Sequence, residues 1–169
     1  MEHVLAECEE SARKQIWRLA EDFWSRKNLP WYEPSYGTQL GCALINFKDD
    51  KGKIQTGATR LYRILITESM HLTWKIRCEW KIARESDPDK KHSEKEVENR
   101  WFHAINQRLK FDCLMTDNLR YGRKALRSSL VKKTWEGTLQ NEEDLPDNWY
   151  IKSGVLVGRV MRRPQGRNR

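Results

Sequence analysis

The sequence predicts a mainly α-helical fold: a small bundle of three long helices plus one short helix, with irregular loops and a basic C-terminal tail. In three stretches, apolar residues recur at steps of three and four, the spacing that places side chains on one face of an α-helix. Hydrophobic residues make up 38% of the 169-residue chain, and eight Trp residues are enough to fill a modest core. A single helical domain is expected over residues 1–158, followed by a basic tail over 159–169 that is expected to be disordered.

The first predicted helix occupies the N-terminal segment, where apolar side chains recur on one face. The positions that form this stripe are Leu5, Cys8, Ala12, Ile16, Leu19, Ala20 and Phe23. Pro30 should end the helix, because proline disfavours helical backbone in the residue before it. Residues 30–57 hold two prolines and four glycines, which predicts an irregular connection. Within it we expect a turn at 49–52, and either a short buried turn of helix or a strand at 40–45.

The second predicted helix spans residues 58–85 and carries two apolar faces, as expected of a central helix that packs on several neighbours. One face holds Leu61, Ile64, Leu65, Leu72 and Ile76, and the other holds Met70, Trp74 and Cys78. Pro88 and the polar residues around it should end this helix.

The third predicted helix has a defined start, because Ser93 and Glu96 match the capping box. In that motif the Ser side chain caps the amide three residues later, and the Glu side chain reaches back to the amide of the cap. The buried face is expected to hold Val97, Trp101, Ala104, Ile105 and Leu109. A shorter helix is predicted over 123–135, and the apolar piece 154–158 should form an edge strand or a plug packed on the helices.

The net charge of +8 is unevenly distributed along the chain. Residues 119–135 contain six basic residues and no acidic one, and residues 159–169 contain five Arg and no acidic one. Such clusters are candidate contacts for nucleic-acid phosphates. The nucleic-acid-binding residues predicted on this basis are Arg120, Arg123, Lys124, Arg127, Lys132, Lys133, Arg159, Arg162 and Arg163. The alternative is a basic surface that only keeps the chain in solution.

Five tryptophans lie close to Lys or Arg, an arrangement that suits single-stranded nucleic acid because bases stack on aromatic rings. They are Trp74, Trp80, Trp101, Trp135 and Trp149. Trp74 and Trp101 fall on predicted helix stripes, so a place in the core is favoured over stacking for most of the five.

The sequence contains no self-contained catalytic site, which predicts that the chain is not an enzyme. Asp112 and Asp117 are the one acidic pair beside apolar residues. Solvated or capping roles are favoured for this pair, with Asp117 ending the third helix, and a metal-dependent nuclease is the alternative. Cys78 and Cys113 lie on apolar helical stripes, where a free cysteine is usually buried. The segment 37–41 lacks the Lys of a phosphate-binding loop.

His3 and Cys8 form the spacing H-x-x-x-x-C, which is the second half of a zinc-knuckle pattern. A structural zinc site needs four ligands, and the next cysteine is 34 residues further along the chain. No cofactor is therefore predicted, and zinc would bind only if two more ligands preceded this pair.

The cellular location is predicted from what the sequence lacks. No apolar run approaches the roughly 18–20 residues that a transmembrane helix needs, so no membrane partner is expected. The N-terminus has no basic and apolar leader, and the four Cys form no C-x-x-C pair. Reduced thiols in an intracellular chain, nuclear or cytoplasmic, are the simplest interpretation.

Several segments in a fixed order resemble a known family. They are MEHVLAEC at 1–8, HLTWKIRCE at 71–79, NRWFHAINQRL at 99–109, LMTD at 114–117, YGRKAL at 121–126, TWEGTL at 134–139, LPDNW at 145–149 and GVLVG at 154–158. Together they resemble the C-terminal region of fungal non-LTR retrotransposon reverse transcriptase proteins.

The resemblance implies that a reverse transcriptase, often with an RNase H domain, precedes a zinc knuckle and then this helical tail. His3 and Cys8 would occupy the last two ligand positions of that knuckle. The chain would then be a truncated, non-catalytic fragment that assists RNA or DNA binding through its basic segments, with the upstream polymerase domains as partners. The alternative is a structural module that packs on those domains, in which case the isolated chain should self-associate.

Overall fold

Six α-helices account for most of the computed structural model, which describes residues 11–32, 34–152 and 154–159. They are α1 (Ser11–Trp24), α2 (Tyr36–Leu40), α3 (Thr56–Cys78), α4 (Glu94–Leu114), α5 (Asn118–Tyr121) and α6 (Ser128–Trp135). Helices α1, α3 and α4 are long, α6 has 8 residues, and α2 and α5 are single turns. The predicted bundle of three long helices and one short helix is confirmed.

Helix α3 lies at the centre of the bundle, where it contacts α1, α4 and α6. Its predicted first face is buried at Leu61, Ile64, Leu65, Leu72 and Ile76. The second predicted face is only partly correct. Met70 and Cys78 are half-buried, but Trp74 is 43% exposed. Trp74 lies two residues from both Leu72 and Ile76, and two residues correspond to a rotation of roughly 200° about the helix axis. The Trp74 side chain therefore points away from the core.

The N-terminal helix forms the apolar stripe that its spacing predicts. Ile16, Ala20, Phe23 and Trp24 are buried, whereas Leu5 and Cys8 lie outside the described residues. A 3-10 turn at Ser25–Lys27 follows α1, so the helix ends before Pro30 as predicted.

The connection between α1 and α3 contains the turn predicted at 49–52. The Asp49 carboxylate accepts hydrogen bonds from the N–H groups of Lys51 and Lys53 at 3.0 and 2.9 Å. Gly52 adopts a φ of 78°, which glycine reaches without a steric penalty.

The segment 40–45 is helical, since it combines the end of α2 with a 3-10 turn at Cys42–Leu44. Leu40 and Leu44 are 58% and 83% exposed. Of Leu40, Cys42 and Leu44, Cys42 is buried and the two leucines are exposed. The expectation that this segment is buried is therefore wrong, because the apolar residues of such a short turn point in several directions.

Helix α3 is shorter than the predicted span of 58–85. Regular α-helix ends at Cys78 and passes into a π-helical turn at Glu79–Ala83. The backbone then reverses through Glu85 and Ser86, which have φ values of 52° and 61°.

Helix α4 begins at the predicted cap. Ser93 Oγ accepts a hydrogen bond from the N–H of Glu96 at 3.2 Å. The Glu96 carboxylate accepts a hydrogen bond from Arg84 at 3.1 Å, which ties the start of α4 to the segment that follows α3. On the buried face, Trp101 donates a hydrogen bond to Ser69 Oγ of α3 at 3.0 Å.

The short helix predicted over 123–135 begins later, at Ser128, and is preceded by α5 and a 3-10 turn at Gly122–Lys124. The backbones of α3 and α6 meet at Gly57, where a Cβ atom would lie 2.3 Å from the Lys133 carbonyl oxygen. A residue with any side chain therefore does not fit at this crossing without a shift of backbone.

The apolar piece 154–158 packs on the helices and forms one isolated antiparallel bridge, between Val157 and Leu139. Val157 is buried, and its N–H donates a hydrogen bond to Asn106 Oδ1 of α4 at 2.8 Å. Within the described part of the chain, no helix is both long and apolar enough to cross a membrane.

Candidate nucleic-acid interface

A groove of about 760 Å³ opens between the C-terminal half of α4, the α5 turn and residues 150–152 and 154–156. Its α4 wall includes Asn106, Lys110 and Leu114. Because Asn106 also accepts the hydrogen bond from the N–H of Val157, the wall formed by 154–156 is held against α4.

Three basic residues line the groove, and each comes from a different segment. Lys110 belongs to α4, Arg120 to α5, and Lys152 to the stretch after the 3-10 turn at Trp149–Ile151. All three are exposed, and within the described residues none of them forms a side-chain ion pair. Arg120 lies 5.5 Å from the Tyr121 ring centroid, and the charges of all three residues are available to an anion without the loss of an internal ion pair.

One carboxylate lies among these cations, that of Asp117. It caps α5, since its side chain accepts a hydrogen bond from the N–H of Arg120 at 3.0 Å. The three basic residues outnumber this single acid, so the groove carries a net positive charge and favours anionic ligands.

Tyr150 supplies an aromatic ring to the groove lining. The ring packs edge-on against buried Trp149, with centroids 6.1 Å apart. Lys132 Nζ lies 5.5 Å from the Tyr150 ring centroid, within cation–π range. The half-buried ring is thus anchored to the core on one side and bordered by a cation.

Cys113 lines the same groove but is poorly suited to act as a nucleophile. Burial, together with the neighbouring Asp112 charge, raises the pKa of the Cys113 thiol to about 11. The thiol therefore stays protonated at neutral pH, and the thiolate is the reactive form.

The basic residues predicted from the sequence are only partly brought together. Arg120 lines the groove, and Arg123 and Lys124 lie on the next turn, where both are exposed. Arg127 is exposed at the start of α6, and Lys132 reaches the groove through its contact with Tyr150.

Two other predicted residues lie elsewhere on the surface. Lys133 packs beside Gly57 of α3, and its carbonyl oxygen accepts a hydrogen bond from Lys27 at 3.3 Å. Arg159 donates a hydrogen bond to Asn99 at 3.2 Å and lies 4.9 Å from the Phe102 ring centroid. Arg159 thus lies against the N-terminal half of α4, whereas the groove adjoins the C-terminal half of this helix.

Four predicted residues lie outside the described residues. These are the basic residues Arg162 and Arg163 and the half-site ligands His3 and Cys8.

The expectation of solvated or capping roles for the acidic pair is wrong for Asp112 and correct for Asp117, but Asp117 caps the start of α5 and does not end the third helix, which stops at Leu114. None of the Asp112 side chain is exposed, and its carboxylate is paired with Arg60. Trp135 donates a further hydrogen bond to Asp112 Oδ2 at 2.9 Å. Asp117 is exposed and caps α5. The two carboxylates therefore have separate structural roles.

Most of the basic-flanked tryptophans are core residues, as predicted. Trp101, Trp135 and Trp149 are buried. Trp80 is half-buried, and Lys81 and Lys91 lie 4.8 and 5.9 Å from its ring centroid.

The cationic and aromatic residues of the groove that the predicted set lacks are Lys110, Tyr150 and Lys152. Lys110 and its neighbour Arg108 do not form part of a longer basic run, and the other two residues fall in a segment whose composition does not predict regular structure. The run Trp149-Tyr150-Ile151-Lys152 places a second aromatic ring and a lysine beside a core tryptophan. This local pattern is the sequence signal that could have identified Tyr150 and Lys152 as binding residues.

One group of described side chains has the spacing of metal ligands, namely Glu79, His92 and Glu96. A hydrogen bond from Arg100 holds the pKa of Glu79 below its usual value, although burial acts in the opposite direction. Glu96 lies on the first turn of α4, at least 10 residues before the groove, or roughly 15 Å along the helix. The group is therefore separate from the groove.

Comparisons with protein-family models, curated proteins and solved structures found no match to this chain. The resemblance to fungal non-LTR retrotransposon proteins stays a prediction.

Proposed function

We propose that this chain binds single-stranded nucleic acid in the groove between α4, α5 and residues 150–152 and 154–156. The observation that carries the proposal is the meeting of three exposed cations from three segments beside one aromatic ring. In this proposal Lys110, Arg120 and Lys152 contact phosphates, and Tyr150 stacks on a base.

A single strand suits this surface better than a duplex. Proteins that bind single strands combine a positively charged groove with aromatic rings on which bases stack. Bases in a duplex are already stacked on one another, so Tyr150 would have no free base face to contact. The amides of Asn106, Gln107 and Asn118 in the groove lining provide hydrogen-bond donors and acceptors for base edges.

The biological setting that we propose is a retroelement protein, in which this chain is the non-catalytic C-terminal region that follows the polymerase. This part of the proposal rests on the sequence resemblance. The groove would hold template RNA or newly made DNA near polymerase domains that carry out the chemistry. The buried pairing of Asp112 with Arg60 fits a supporting role, because the carboxylate is not available to bind a catalytic metal.

The test is fluorescence anisotropy with a labelled single-stranded RNA of mixed sequence, measured from about 50 mM to 200 mM salt. The triple variant K110Q/R120Q/K152Q should bind more weakly, and its slope of log affinity against log salt should fall by about 2, because each lost phosphate contact removes about 0.7. A matched duplex RNA should bind more weakly than the single strand.

The control variant K14Q/K48Q/K51Q removes the same charge from exposed lysines elsewhere. It should keep most of the affinity and the slope of the unmodified chain. Equal losses in the two triple variants would show that net charge alone drives binding. No binding at about 50 mM salt would refute the proposal outright.

A protein-docking module is the second candidate function. It is favoured by apolar side chains at the groove, since Leu114, Ile151 and Leu156 are 50%, 70% and 47% exposed. Exposed apolar patches mark interaction surfaces, so the isolated chain should self-associate through this face. Sedimentation velocity over a concentration series would count against this candidate if the chain stays monomeric throughout.

A further inference from the structure

Three side chains from separate segments converge at the N-terminal end of α4. Glu79 lies on the π-helical turn after α3, His92 on the connection to α4, and Glu96 on the first turn of α4. One ligand atom from each residue lies within 4.8 Å of the other two. Two carboxylates and one imidazole form a mixed oxygen and nitrogen donor set, which suits divalent transition metals better than magnesium or calcium.

The state of His92 sets this group apart from an ordinary surface acidic cluster. Only 2% of the His92 side chain is exposed. Its Nε2 atom is buried and makes no hydrogen bond to any described residue. That nitrogen lies 3.4 Å from Glu79 Oε1 and 3.7 Å from Glu96 Oε1, so it points into the space between the two carboxylates. A buried nitrogen whose nearest acceptors lie 3.4 Å or more away is only weakly satisfied, and a ligand in the space between the carboxylates would relieve that energetic cost.

Two arginines already occupy part of the surroundings. Arg84 lies 3.3 Å from Glu79 Oε1 and 3.1 Å from Glu96 Oε1. Arg100 contacts Glu79 Oε2 at 2.8 Å and Glu96 Oε1 at 3.6 Å. Arg84 therefore contacts Glu79 Oε1 and Glu96 Oε1, the same two oxygens that lie nearest to His92 Nε2. Arg100 bonds most closely to the other carboxylate oxygen of Glu79, Oε2.

From this geometry we propose that Glu79, His92 and Glu96 bind a divalent transition-metal ion of the zinc class, in competition with the Arg84 guanidinium. The ion takes the Nε2 lone pair and one oxygen from each carboxylate. Arg84 gives up its contacts to the two carboxylates, and its hydrogen bond to the Lys90 carbonyl oxygen at 2.8 Å holds the side chain at the partly exposed edge of the site. Arg100 remains on Glu79 Oε2 and orients that carboxylate, as outer hydrogen bonds do at metal sites.

A bound ion would link three segments that the ion pairs of Arg84 and Arg100 connect in its absence. It would connect the π-helical turn, the connection that contains His92, and the start of α4. Three protein ligands leave a coordination position for water. The site is distinct from the predicted His3 and Cys8 half-site and does not depend on the proposed binding of nucleic acid.

The experiment uses the full chain carrying H3Q and C8S, so that the half-site cannot contribute. Isothermal titration with Zn²⁺ gives the affinity, and Co²⁺ serves as a spectroscopic probe because its visible bands report nitrogen and oxygen ligands. His92→Gln should weaken binding at least about tenfold. The matched control His103→Gln changes an exposed histidine on α4 and should leave the affinity unchanged.

Arg84→Gln provides the test that misfolding cannot mimic, because it predicts a gain. Removal of the competing cation should tighten Zn²⁺ binding about tenfold, and the double variant R84Q/H92Q should lose that gain. The proposal is overturned if Zn²⁺ does not bind, if Arg84→Gln has no effect or weakens binding, or if the Co²⁺ spectrum shows thiolate ligation. Equal binding by the His92→Gln and His103→Gln variants would also overturn it.

Discussion

The Arg60 guanidinium donates hydrogen bonds to both oxygens of the Asp112 carboxylate, at 2.5 and 2.6 Å. The Asp112 side chain is fully buried, while 19% of the Arg60 side chain is exposed. Trp135 donates to Asp112 Oδ2 as well, so this carboxylate links α3, α4 and α6. The only acidic side chain that the structure buries fully, among those it describes, is thus a structural junction.

Replacement of Asp112 by Asn should destabilise the fold by about 3 kcal/mol, because removing one partner of a buried ion pair leaves the other charge uncompensated. This cost lies at the lower end of the usual range for a broken buried ion pair, because the partly exposed Arg60 side chain can still be hydrated. Urea unfolding monitored by tryptophan fluorescence measures the free energy of unfolding. The control Asp144→Asn, on an exposed turn, should change it by less than about 0.5 kcal/mol. Similar values for the two variants would mean that the buried pair contributes little.

Gly57 controls how closely α3 and α6 pack. Gly57→Ala should destabilise the chain by about 1–3 kcal/mol, the usual cost of overpacking, because the new Cβ atom would meet the Lys133 carbonyl at 2.3 Å. Gly37→Ala is the matched control. Gly37 lies in α2, where the nearest atom to a new Cβ is 4.0 Å away, so alanine should be neutral or stabilising there. A urea midpoint for Gly57→Ala equal to that of the unmodified chain would contradict the packing argument.

The three long helices were predictable because each depends on local periodicity, whereas the single turns α2 and α5 were not predicted, and the groove depends on tertiary placement. The stripe on α3 and the cap at Ser93 can be identified from neighbours in the sequence. Lys110 and Lys152 are 42 positions apart, and nothing in their local sequence shows that they share a groove. Trp74 shows the limit of periodicity, because this large apolar residue was assigned to a buried face and is 43% exposed.

The pairing of Asp112 with Arg60 was equally hidden from the sequence. Its partner Arg60 lies 52 residues away, and an acidic residue near the end of an amphipathic helix usually faces solvent. The cluster of Glu79, His92 and Glu96 also escaped prediction, because the π-helical turn that positions Glu79 replaced the regular helix expected there.

Cys113 should react slowly with iodoacetamide while the chain is folded. Its folded pKa is raised to about 11 from an ordinary value of 9.0, so at pH 8 the thiolate fraction is about a hundredfold smaller than in the unfolded chain, and the thiolate is the reactive form. Site-resolved mass spectrometry of alkylation at pH 8 measures this rate, and the same measurement in guanidinium chloride is the control. Equal rates in the folded and unfolded chains would show that burial does not protect the thiol.

The same raised pKa gives an expected pH dependence of stability. The neutral thiol is favoured in the folded state, so Cys113 has no effect well below pH 9 and reduces stability as the pH rises from about 9 toward about 11. The loss occurs because the unfolded thiol ionises first. Tyr62, whose pKa burial raises to about 12, acts in the same direction at higher pH. Urea midpoints for Cys113→Ala should therefore decline less than those of the unmodified chain over pH 8 to 11.

Tyr150 separates base stacking from charge in the proposed groove. Stacking of one base on an aromatic ring contributes about 1–3 kcal/mol, so Tyr150→Ala should weaken single-stranded RNA binding by about tenfold or more. Tyr150→Phe keeps the ring and should keep most of the affinity. Because neither change removes a phosphate contact, the slope of log affinity against log salt should stay the same in both variants.

Fluorescence anisotropy over a salt series measures both the affinity and the salt slope, and quenching of fluorescence from bases such as 2-aminopurine would report the stacked geometry. Equal weakening in the Ala and Phe variants would assign the effect to the hydroxyl group and contradict stacking, whereas a changed salt slope would show that Tyr150 acts through the position of neighbouring Lys132.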